Sequence, residues 1–336
     1  MQVGVLLPRV HAERVLGAPG PALPAEIVCR RGISRQFQRM RFPTRPLALL
    51  TAVLLGFIPT PTRAQDAKPA GATAAITRGQ RVYSVGHSFH VFMPAILRDL
   101  ALGAGITNHT QVGLSSIGGS RVIQHWEVPG DKFKSKELLT AGKVDVLTLA
   151  PIFLPDTGIE NFATLALEQN PDIRITVQEF WLPYDWYEPP TMRSNPKGTD
   201  HNAVTIEELR KRHAGYFAAI DGHVRELNQK FGKTALYVVP VGQAVLALRE
   251  KIVAGGVPGL KTQGELFTDA IGHVQSHVQA LAAYCHFAVT YRRSPVGLKP
   301  PGVLGGVKAD PVLVKLLQEL AWQAVTQHPL SGVKAE

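Results

Sequence analysis

Cysteine is scarce in this sequence, with Cys29 and Cys285 as its two representatives among 336 residues. Cys29 lies in an N-terminal segment that we expect to be removed, so Cys285 has no partner for an internal disulfide and the fold has to rest on its core. Neither a Cys-x-x-Cys pair nor a Cys/His cluster indicates a structural zinc site. Cys285 falls in the apolar stretch 281–289 and is predicted to be an unreactive buried thiol.

A hydrophobic segment long enough to cross a membrane is also lacking. The apolar run 47–58 has 12 residues, whereas a helix that spans a bilayer takes roughly 20. The run follows Met40, Arg41 and Arg45 and precedes a small residue at Ala64, an order that is typical of a secretory signal peptide. We therefore expect cleavage after Ala64, a secreted or periplasmic protein, and no stable insertion into the membrane.

Acidic residues are rare in the first 64 residues, which hold nine arginines and two glutamates, a net charge of +7. The whole chain carries +10, so residues 65–336 carry +3 (10 − 7). The basic balance thus belongs mostly to the leader, and we expect no nucleic-acid partner. Residues 1–39 lack periodicity. A misassigned start codon explains them most simply, and a disordered extension is the alternative.

After the leader, apolar runs of the strand type alternate with longer helical patterns. The strand runs are 81–85, 110–112, 144–149, 173–177 and 235–239. The helical patterns cover 90–104, 132–142, 159–170, 205–231, 243–254 and 276–292. This alternation predicts an α/β fold with a parallel sheet covered on both faces. The predicted organisation is a leader over 1–64, a linker over 65–78, the α/β domain over 79–300 and a C-terminal helical extension over 301–336.

Three turns in this pattern carry residue types suited to acyl transfer, at the sheet edge where such folds bind ligands. Ser88 follows the first strand and precedes a helix, beside free backbone N–H groups. Gly118 and Gly119 follow the second strand, and glycines let N–H groups approach a ligand closely. Asp269 precedes His273, a pairing that can supply a general base and the carboxylate that orients it. Each turn alone is also explained by a helix cap, a tight turn or a surface ion pair.

In this order, the Gly-x-Ser turn, the Gly-Gly turn and the late Asp…His pair resemble the sequence blocks of the SGNH (GDSL-like) hydrolases, in a divergent secreted bacterial branch. The resemblance spans about 75–300 and implies a flavodoxin-like three-layer α/β/α sandwich with a five-stranded parallel sheet. It implies ester hydrolysis without a cofactor, with Ser88 as nucleophile, His273 as base and Asp269 as its orienting carboxylate. It also implies an oxyanion hole formed by N–H groups of Ser88 and of Gly118 or Gly119.

The chain departs from the family pattern at three points. His87 stands where the family has an aspartate before the nucleophile. The family's third block, Gly-x-Asn-Asp, is replaced by a stretch in which Asn161 offers the comparable side chain, so Asn161 is either the missing oxyanion donor or a helix residue. Asp269 and His273 are four residues apart rather than three, a difference that we expect Gly272 to absorb in a turn.

The loop 179–203 is unusual because it combines tryptophan, tyrosine and acidic residues after the fourth strand. Trp181 and Tyr184 are predicted to line the substrate cleft, with Trp126 and His87 as further candidates. Aromatic rings of this kind stack on sugars, and they equally pin a loop to its domain by burial.

Three histidines, at positions 87, 90 and 277, need an interpretation. His87 and His90 stand in an i, i+3 relation that can bind zinc, but no third ligand is indicated, and we expect no metal. His277 lies one turn beyond His273 and is its rival for the role of base, although a position on the helix surface is favoured.

The sequence therefore favours a secreted serine esterase or deacetylase that acts on an acylated carbohydrate or another small ester. The alternative is a non-catalytic carbohydrate- or ligand-binding protein on the same scaffold, because the third block is degraded. A flavodoxin-like nucleotide or phosphate binder is disfavoured, since the turn after the first strand is not a glycine-rich cradle. The sequence does not specify an oligomeric state.

Overall fold

Five runs of predominantly apolar residues form the strands β1 (Arg81–Gly86), β2 (Thr110–Ser116), β3 (Val146–Leu149), β4 (Arg174–Glu179) and β5 (Leu236–Pro240). They belong to a computed structural model that describes residues 74–130, 132–186 and 199–335. All four residues of β3 are buried, as expected for a strand covered on both faces. Each of the predicted strand runs therefore overlaps a strand.

The strands form one parallel sheet in the order β2-β1-β3-β4-β5. This is the flavodoxin-like order, in which the sequence of strands reverses direction between β1 and β3. Ligands of such sheets bind at the carboxyl ends of the strands near that reversal. Ser88 follows β1 directly and therefore stands at this point of the fold.

The helices are α1 (Met93–Gly103), α2 (Val122–Glu127), α3 (Ser135–Thr140), α4 (Thr157–Gln169), α5 (Ile206–Lys230), α6 (Val241–Val253), α7 (Ser276–Tyr291) and α8 (Pro311–Gln327). On one face of the sheet α7 packs against α1, α6 and α8. On the other, α4 packs against α2 and α3, and α5 packs against β4 and β5. The covered parallel sheet predicted from the alternation of elements is thus present, and so is the three-layer sandwich that the family resemblance implies.

Helix starts follow side-chain caps that the sequence contains. Thr205 accepts a hydrogen bond from the Glu208 N–H at 3.2 Å and begins α5, as expected from its acidic first turn. Asp156 accepts one from the Gly158 N–H at 2.9 Å and begins α4. Asp310 accepts one from the Val312 N–H at 2.8 Å and begins α8.

The structure also differs from the predicted elements in places. The helix expected over 132–142 is reduced to α3, and α2 was not foreseen because six residues show too little periodicity. The C-terminal extension contains α8, whose Leu317, Leu320 and Ala321 are buried in the same hydrophobic core as the sheet. Cys285 is fully buried in α7, and burial raises the pKa of its thiol.

Some predictions fall outside the described residues. These are the leader over 1–64, most of the linker, and the stretch 187–198 of the aromatic loop. Among the helices that the structure describes, none combines the length and apolar character needed to cross a membrane.

Candidate active site

Ser88 and His273 meet at the carboxyl edge of the sheet. Ser88 lies in the turn between β1 and α1, and His273 lies in the loop before α7. The Nε2 atom of His273 is 2.8 Å from the Oγ atom of Ser88. That distance allows the ring to accept the hydroxyl proton.

Asp269 completes a chain of three polar groups. Its Oδ2 atom is 2.6 Å from Nδ1 of His273, so the ring can donate Nδ1–H to the carboxylate and keep Nε2 free to accept. The Oδ1 atom accepts the N–H groups of Gly272 and His273, each at 3.0 Å. Partial burial pushes the pKa of Asp269 upward, but these hydrogen bonds outweigh it and hold the pKa below its usual range. The carboxylate is therefore ionised at neutral pH.

The loop that carries Asp269 and His273 is tied down at several backbone atoms. Gly272 has a φ of +96°, a conformation that glycine adopts without a Cβ penalty. This turn accommodates the four-residue spacing between Asp269 and His273. The antiparallel bridge between Phe267 and Val274 closes the base of the loop.

Trp181 and Tyr184 support this loop, and the prediction that they line the cleft is wrong for both. Trp181 is buried, donates its indole N–H to the Gly272 carbonyl at 2.8 Å and stacks on Phe89 with ring centroids 4.7 Å apart. Tyr184 is half-buried, and its backbone N–H donates to the Ile271 carbonyl at 3.0 Å. For Trp181, burial against the loop has taken the place of exposure to a ligand, and neither residue lines the cavity beside Ser88.

Backbone N–H groups without an acceptor surround the nucleophile. In the described part of the chain, the N–H groups of Ser88, Gly118 and Gly119 have no hydrogen-bond partner. All three residues line the same cavity. Gly119 has a φ of +60°, and a Cβ at either glycine would meet open space. These donors are available to an oxyanion formed by attack of Ser88.

The turn that carries the two glycines is fixed by Ser120 and His125. Ser120 donates its hydroxyl to the Ile117 carbonyl at 2.9 Å, and its Oγ lies 2.7 Å from Nε2 of His125. Both side chains are buried, and burial lowers the pKa of His125 to about 4. His125 is therefore neutral at pH 7 and donates to Ser120. The sequence analysis did not identify this pair.

The cavity beside Ser88 and His273 has a volume of about 270 Å³. Its remaining walls are mostly apolar, and its lining consists of His87, Ser88, Phe89, Gly118, Gly119, Ile152, Pro183, Ile271 and His273. His87 is the candidate substrate-binding residue that does line the cavity. Its ring is buried against Phe180, and burial lowers its pKa to about 3, so it presents a neutral face.

Beneath the Ser88 turn lies a polar network that the sequence analysis missed. Gln178 Oε1 lies 2.7 Å from Nδ1 of His90 and 2.8 Å from Nε2 of His286. Its amide donates to the Phe89 carbonyl at 3.0 Å, and Nε2 of His90 is 3.0 Å from the Thr148 hydroxyl. Burial lowers the pKa of His90 to about 4, so the network is neutral and holds the nucleophile turn on the sheet. The sequence did contain a signal for this network, because Gln178 is a buried polar residue that directly follows the apolar run 173–177.

Asn161 and Trp126 do not reach the cavity. Because Asp156 starts α4 at Thr157, Asn161 lies inside the helix and cannot serve as an oxyanion donor, so that prediction is wrong. Trp126 is half-buried and packs edge-on against Phe162, with ring centroids 5.1 Å apart, so its assignment to the cleft wall is also wrong.

Asp156 is a buried carboxylate between β3 and α4. Its Oδ2 accepts the Val122 N–H at 2.8 Å, and its Oδ1 accepts the Ile123 N–H at 3.0 Å and the Gly158 N–H at 2.9 Å. It thus ties the start of α2 to the start of α4. A Cβ on Gly158 would lie 2.2 Å from Ile123 N, so this junction requires glycine.

The remaining histidine predictions concern His277 as a rival base and the His87–His90 pair as a metal site. His277 is half-buried on α7 and makes no hydrogen bond to another described residue, whereas His273 contacts Ser88 directly. The described residues contain no group of three or more His, Cys, Asp or Glu side chains placed to hold a metal ion.

Comparisons with known proteins give similarity in structure. No model of a known protein family matches the chain, and no curated protein matches it. A DUF4886 family protein from Bacteroides uniformis is similar with a TM-score of 0.51 and 15% identity, over 74% of this chain and 95% of that one. A provisionally named GDSL-like lipase from Parabacteroides merdae has a TM-score of 0.33 and 11% identity, over 74% and 96% of the two chains.

At these identities the similarity concerns the fold alone. The first match and the five-stranded parallel sheet confirm the predicted α/β/α sandwich. The resemblance to the SGNH hydrolases therefore stays an expectation from the sequence, and the chemistry has to be argued from the site.

Proposed function

We propose that the protein is a serine esterase that cleaves short-chain acyl esters, with Ser88 as nucleophile, His273 as general base and Asp269 as the carboxylate that orients it. The observation that carries the proposal is the continuous contact from Ser88 Oγ through His273 to Asp269, at 2.8 and 2.6 Å. A secreted or periplasmic location is part of the proposal and rests on the signal-peptide pattern that ends at Ala64.

In the first half of the reaction, Ser88 Oγ attacks the ester carbonyl carbon while Nε2 of His273 takes the hydroxyl proton. Negative charge develops on the carbonyl oxygen, beside the unpaired N–H groups of Ser88, Gly118 and Gly119. The C–O bond to the alcohol then breaks, and the alcohol leaves with the proton held by His273. An acyl group remains on Ser88.

The second half releases the acyl group by the same steps with water in place of the alcohol. His273 accepts a proton from water, and the resulting hydroxide attacks the acyl carbon. The bond to Ser88 Oγ breaks as His273 returns the proton to it. The products are a carboxylic acid, an alcohol and the unchanged enzyme.

The cavity supports a small acyl group. Its volume of about 270 Å³ and its walls of Ile152, Pro183 and Ile271 offer burial to a few methylene groups. Each buried methylene contributes about 0.8 kcal/mol, so a short aliphatic chain gains binding free energy there. The expectation of a carbohydrate alcohol rested on the aromatic loop 179–203 and on a secreted location. Trp181 and Tyr184 of that loop do not line the cavity, and the alcohol is therefore left open.

The missing third block favours one alternative, a binding protein on the same scaffold. Loss of a side-chain oxyanion donor typically lowers a rate by about 10²–10³-fold. With Asn161 inside α4, oxyanion stabilisation would depend on backbone N–H groups, so we expect a slow enzyme rather than an inactive one.

The experiment that tests the proposal is labelling of the purified full-length protein with a fluorophosphonate probe, which reacts with activated serines. Ser88→Ala is the test variant, and Ser116→Ala is the matched control, because Ser116 is exposed at the end of β2 and does not line the cavity. We expect labelling of the wild type and of Ser116→Ala, and none of Ser88→Ala. A folded wild-type protein that does not react would contradict the proposal and favour the binding protein.

A further inference from the structure

A buried cluster of charges lies next to the loop that carries Asp269. The guanidinium of Arg249 donates to both carboxylate oxygens of Asp185, at 2.5 and 3.0 Å. Neither side chain is exposed to solvent. Arg249 also donates to the side chain of Gln263 at 2.8 Å and to the backbone carbonyl of His201 at 2.9 Å. The cluster thus joins α6, the segment before α5 and the segment after β4.

His201 connects this cluster to the candidate active site. Its Nδ1 atom is 2.9 Å from Oδ2 of Asp185, and its Nε2 atom is 3.1 Å from the backbone carbonyl oxygen of Asp269. The side chain is only 6% exposed. His201 therefore bridges a buried carboxylate and the residue that orients His273.

The two partners of His201 are both hydrogen-bond acceptors. Burial pushes the pKa of Asp185 upward, but hydrogen bonds from His201 and Arg249 outweigh it and lower the pKa to about 2, so the carboxylate is ionised. An ionised carboxylate and a backbone carbonyl only accept hydrogen bonds. Both ring nitrogens of His201 therefore face hydrogen-bond acceptors, and a ring that carries a hydrogen on each nitrogen would satisfy both contacts.

The surroundings of the ring suit a cation. Phe267 lies under both positive groups, with its centroid 4.2 Å from that of the His201 ring and 5.3 Å from the Arg249 guanidinium carbon. The face of an aromatic ring attracts cations. Arg212 donates to the backbone carbonyl of Asp185 at 3.1 Å and not to its carboxylate, which binds His201 and Arg249.

We propose that His201 is a positioning residue, which as an imidazolium donates to the Asp269 carbonyl and so holds the Asp269–His273 pair in line with Ser88. The proposal rests on the proposed esterase function. His201 touches neither the nucleophile nor the cavity, so its effect passes through Asp269. Its loss is expected to change the rate of the chemical step rather than the binding of substrate.

The test measures esterase kinetics of the full-length protein with p-nitrophenyl acetate for His201→Ala and His201→Gln. Without His201 the Asp269 backbone loses one charge-assisted hydrogen bond, and we expect kcat to fall about tenfold with KM nearly unchanged. The Gln side chain retains an N–H donor and should restore part of kcat. His223→Gln on α5 is the matched control, since that buried ring makes no hydrogen bond to other described residues.

A spectroscopic measurement makes the test independent of catalysis. In protein labelled with ¹⁵N-histidine, the His201 resonances at neutral pH are expected to show two protonated nitrogens, with His201→Gln providing the assignment. Any of three results would overturn the proposal: a single protonated nitrogen in His201, an unchanged kcat in His201→Ala, or a decrease in kcat of both variants that merely follows their folded fraction. A wild type without any hydrolysis would instead count against the proposed function, and the spectrum would still decide whether His201 holds Asp269 as a cation.

Discussion

The Nε2 atom of His273 lies 2.8 Å from the Oγ atom of Ser88, although 185 residues separate the two along the chain. Ser88 is carried by the turn after the first strand, and His273 by a loop that follows the last strand and a helix. Their meeting depends on the sheet, because β1 leads into the turn of Ser88 and the other four strands, β2 to β5, lie between the two residues in sequence. A contact formed at such a distance is specific evidence for a shared site, whereas either residue alone is not.

The first prediction concerns the choice of base. His273→Gln should lower kcat/KM for p-nitrophenyl acetate by about 10²–10⁴-fold, because a glutamine amide cannot accept the Ser88 proton. The same substitution at His277, four residues later in the first turn of α7, should leave kcat/KM nearly unchanged. Comparable losses in the two variants would point to a general effect on folding and contradict the assignment of His273.

The second prediction concerns the oxyanion turn. Gly119 has a φ of +60° and Gly118 does not lie in that region, while a Cβ at either position meets open space. Gly119→Ala should therefore lower the free energy of unfolding by about 1–2 kcal/mol through backbone strain alone. Gly118→Ala should leave it unchanged or raise it slightly. Denaturant titration compares the two, and equal stabilities would show that the turn is not constrained as described.

Much of the fold could be predicted because its signals are local. Each of the five runs predicted to be strands overlaps a strand, since a parallel sheet that is buried on both faces needs nearly continuous apolar residues. Ser88, Gly118 and Gly119 could be assigned to one edge because turns that follow parallel strands gather there, whereas His273 was identified from its pairing with Asp269 and from the family resemblance. Short elements such as α2 contain too few residues to show a period.

The errors concern residues whose surroundings come from distant parts of the chain. Trp181 follows a strand and has the chemistry of a sugar platform, but its indole is 91 residues in sequence from the Gly272 carbonyl that it contacts. Asn161 was displaced from the site by a capping aspartate five residues earlier. Asp185 contacts His201, 16 residues away in sequence, and Arg249, 64 residues away. No sequence pattern indicates that these residues interact.

The third prediction concerns acyl-chain length. Ile271 lines the cavity, so Ile271→Ala should widen it and raise the ratio of kcat/KM for hexanoate over acetate esters of p-nitrophenol by about tenfold. Ile123→Ala, at a half-buried position outside the cavity, serves as the control. If the ratio stays constant in Ile271→Ala, the acyl group binds elsewhere.

The last prediction concerns Glu179, a fully buried carboxyl at the end of β4. Burial raises its pKa to about 8, against hydrogen bonds from Gln243 that favour the ionised form. The folded state therefore binds more protons than the unfolded state between pH 4.5 and pH 8. In that window the contribution of Glu179 to stability falls as the pH rises, and the full penalty is present above pH 8.

Glu179→Gln removes this penalty, because an amide of nearly the same shape does not ionise. We expect the variant to match the wild type near pH 5 and to exceed its free energy of unfolding by a few kcal/mol near pH 9. Glu319→Gln, at an exposed position on α8, should show no such dependence on pH. Denaturant titrations at the two pH values give the comparison. A wild type that is as stable as Glu179→Gln at pH 9 would contradict the prediction. The ionised carboxylate of Glu179 would then be stabilised by Gln243 and by His328, whose Nε2 lies 3.9 Å from Glu179 Oε1.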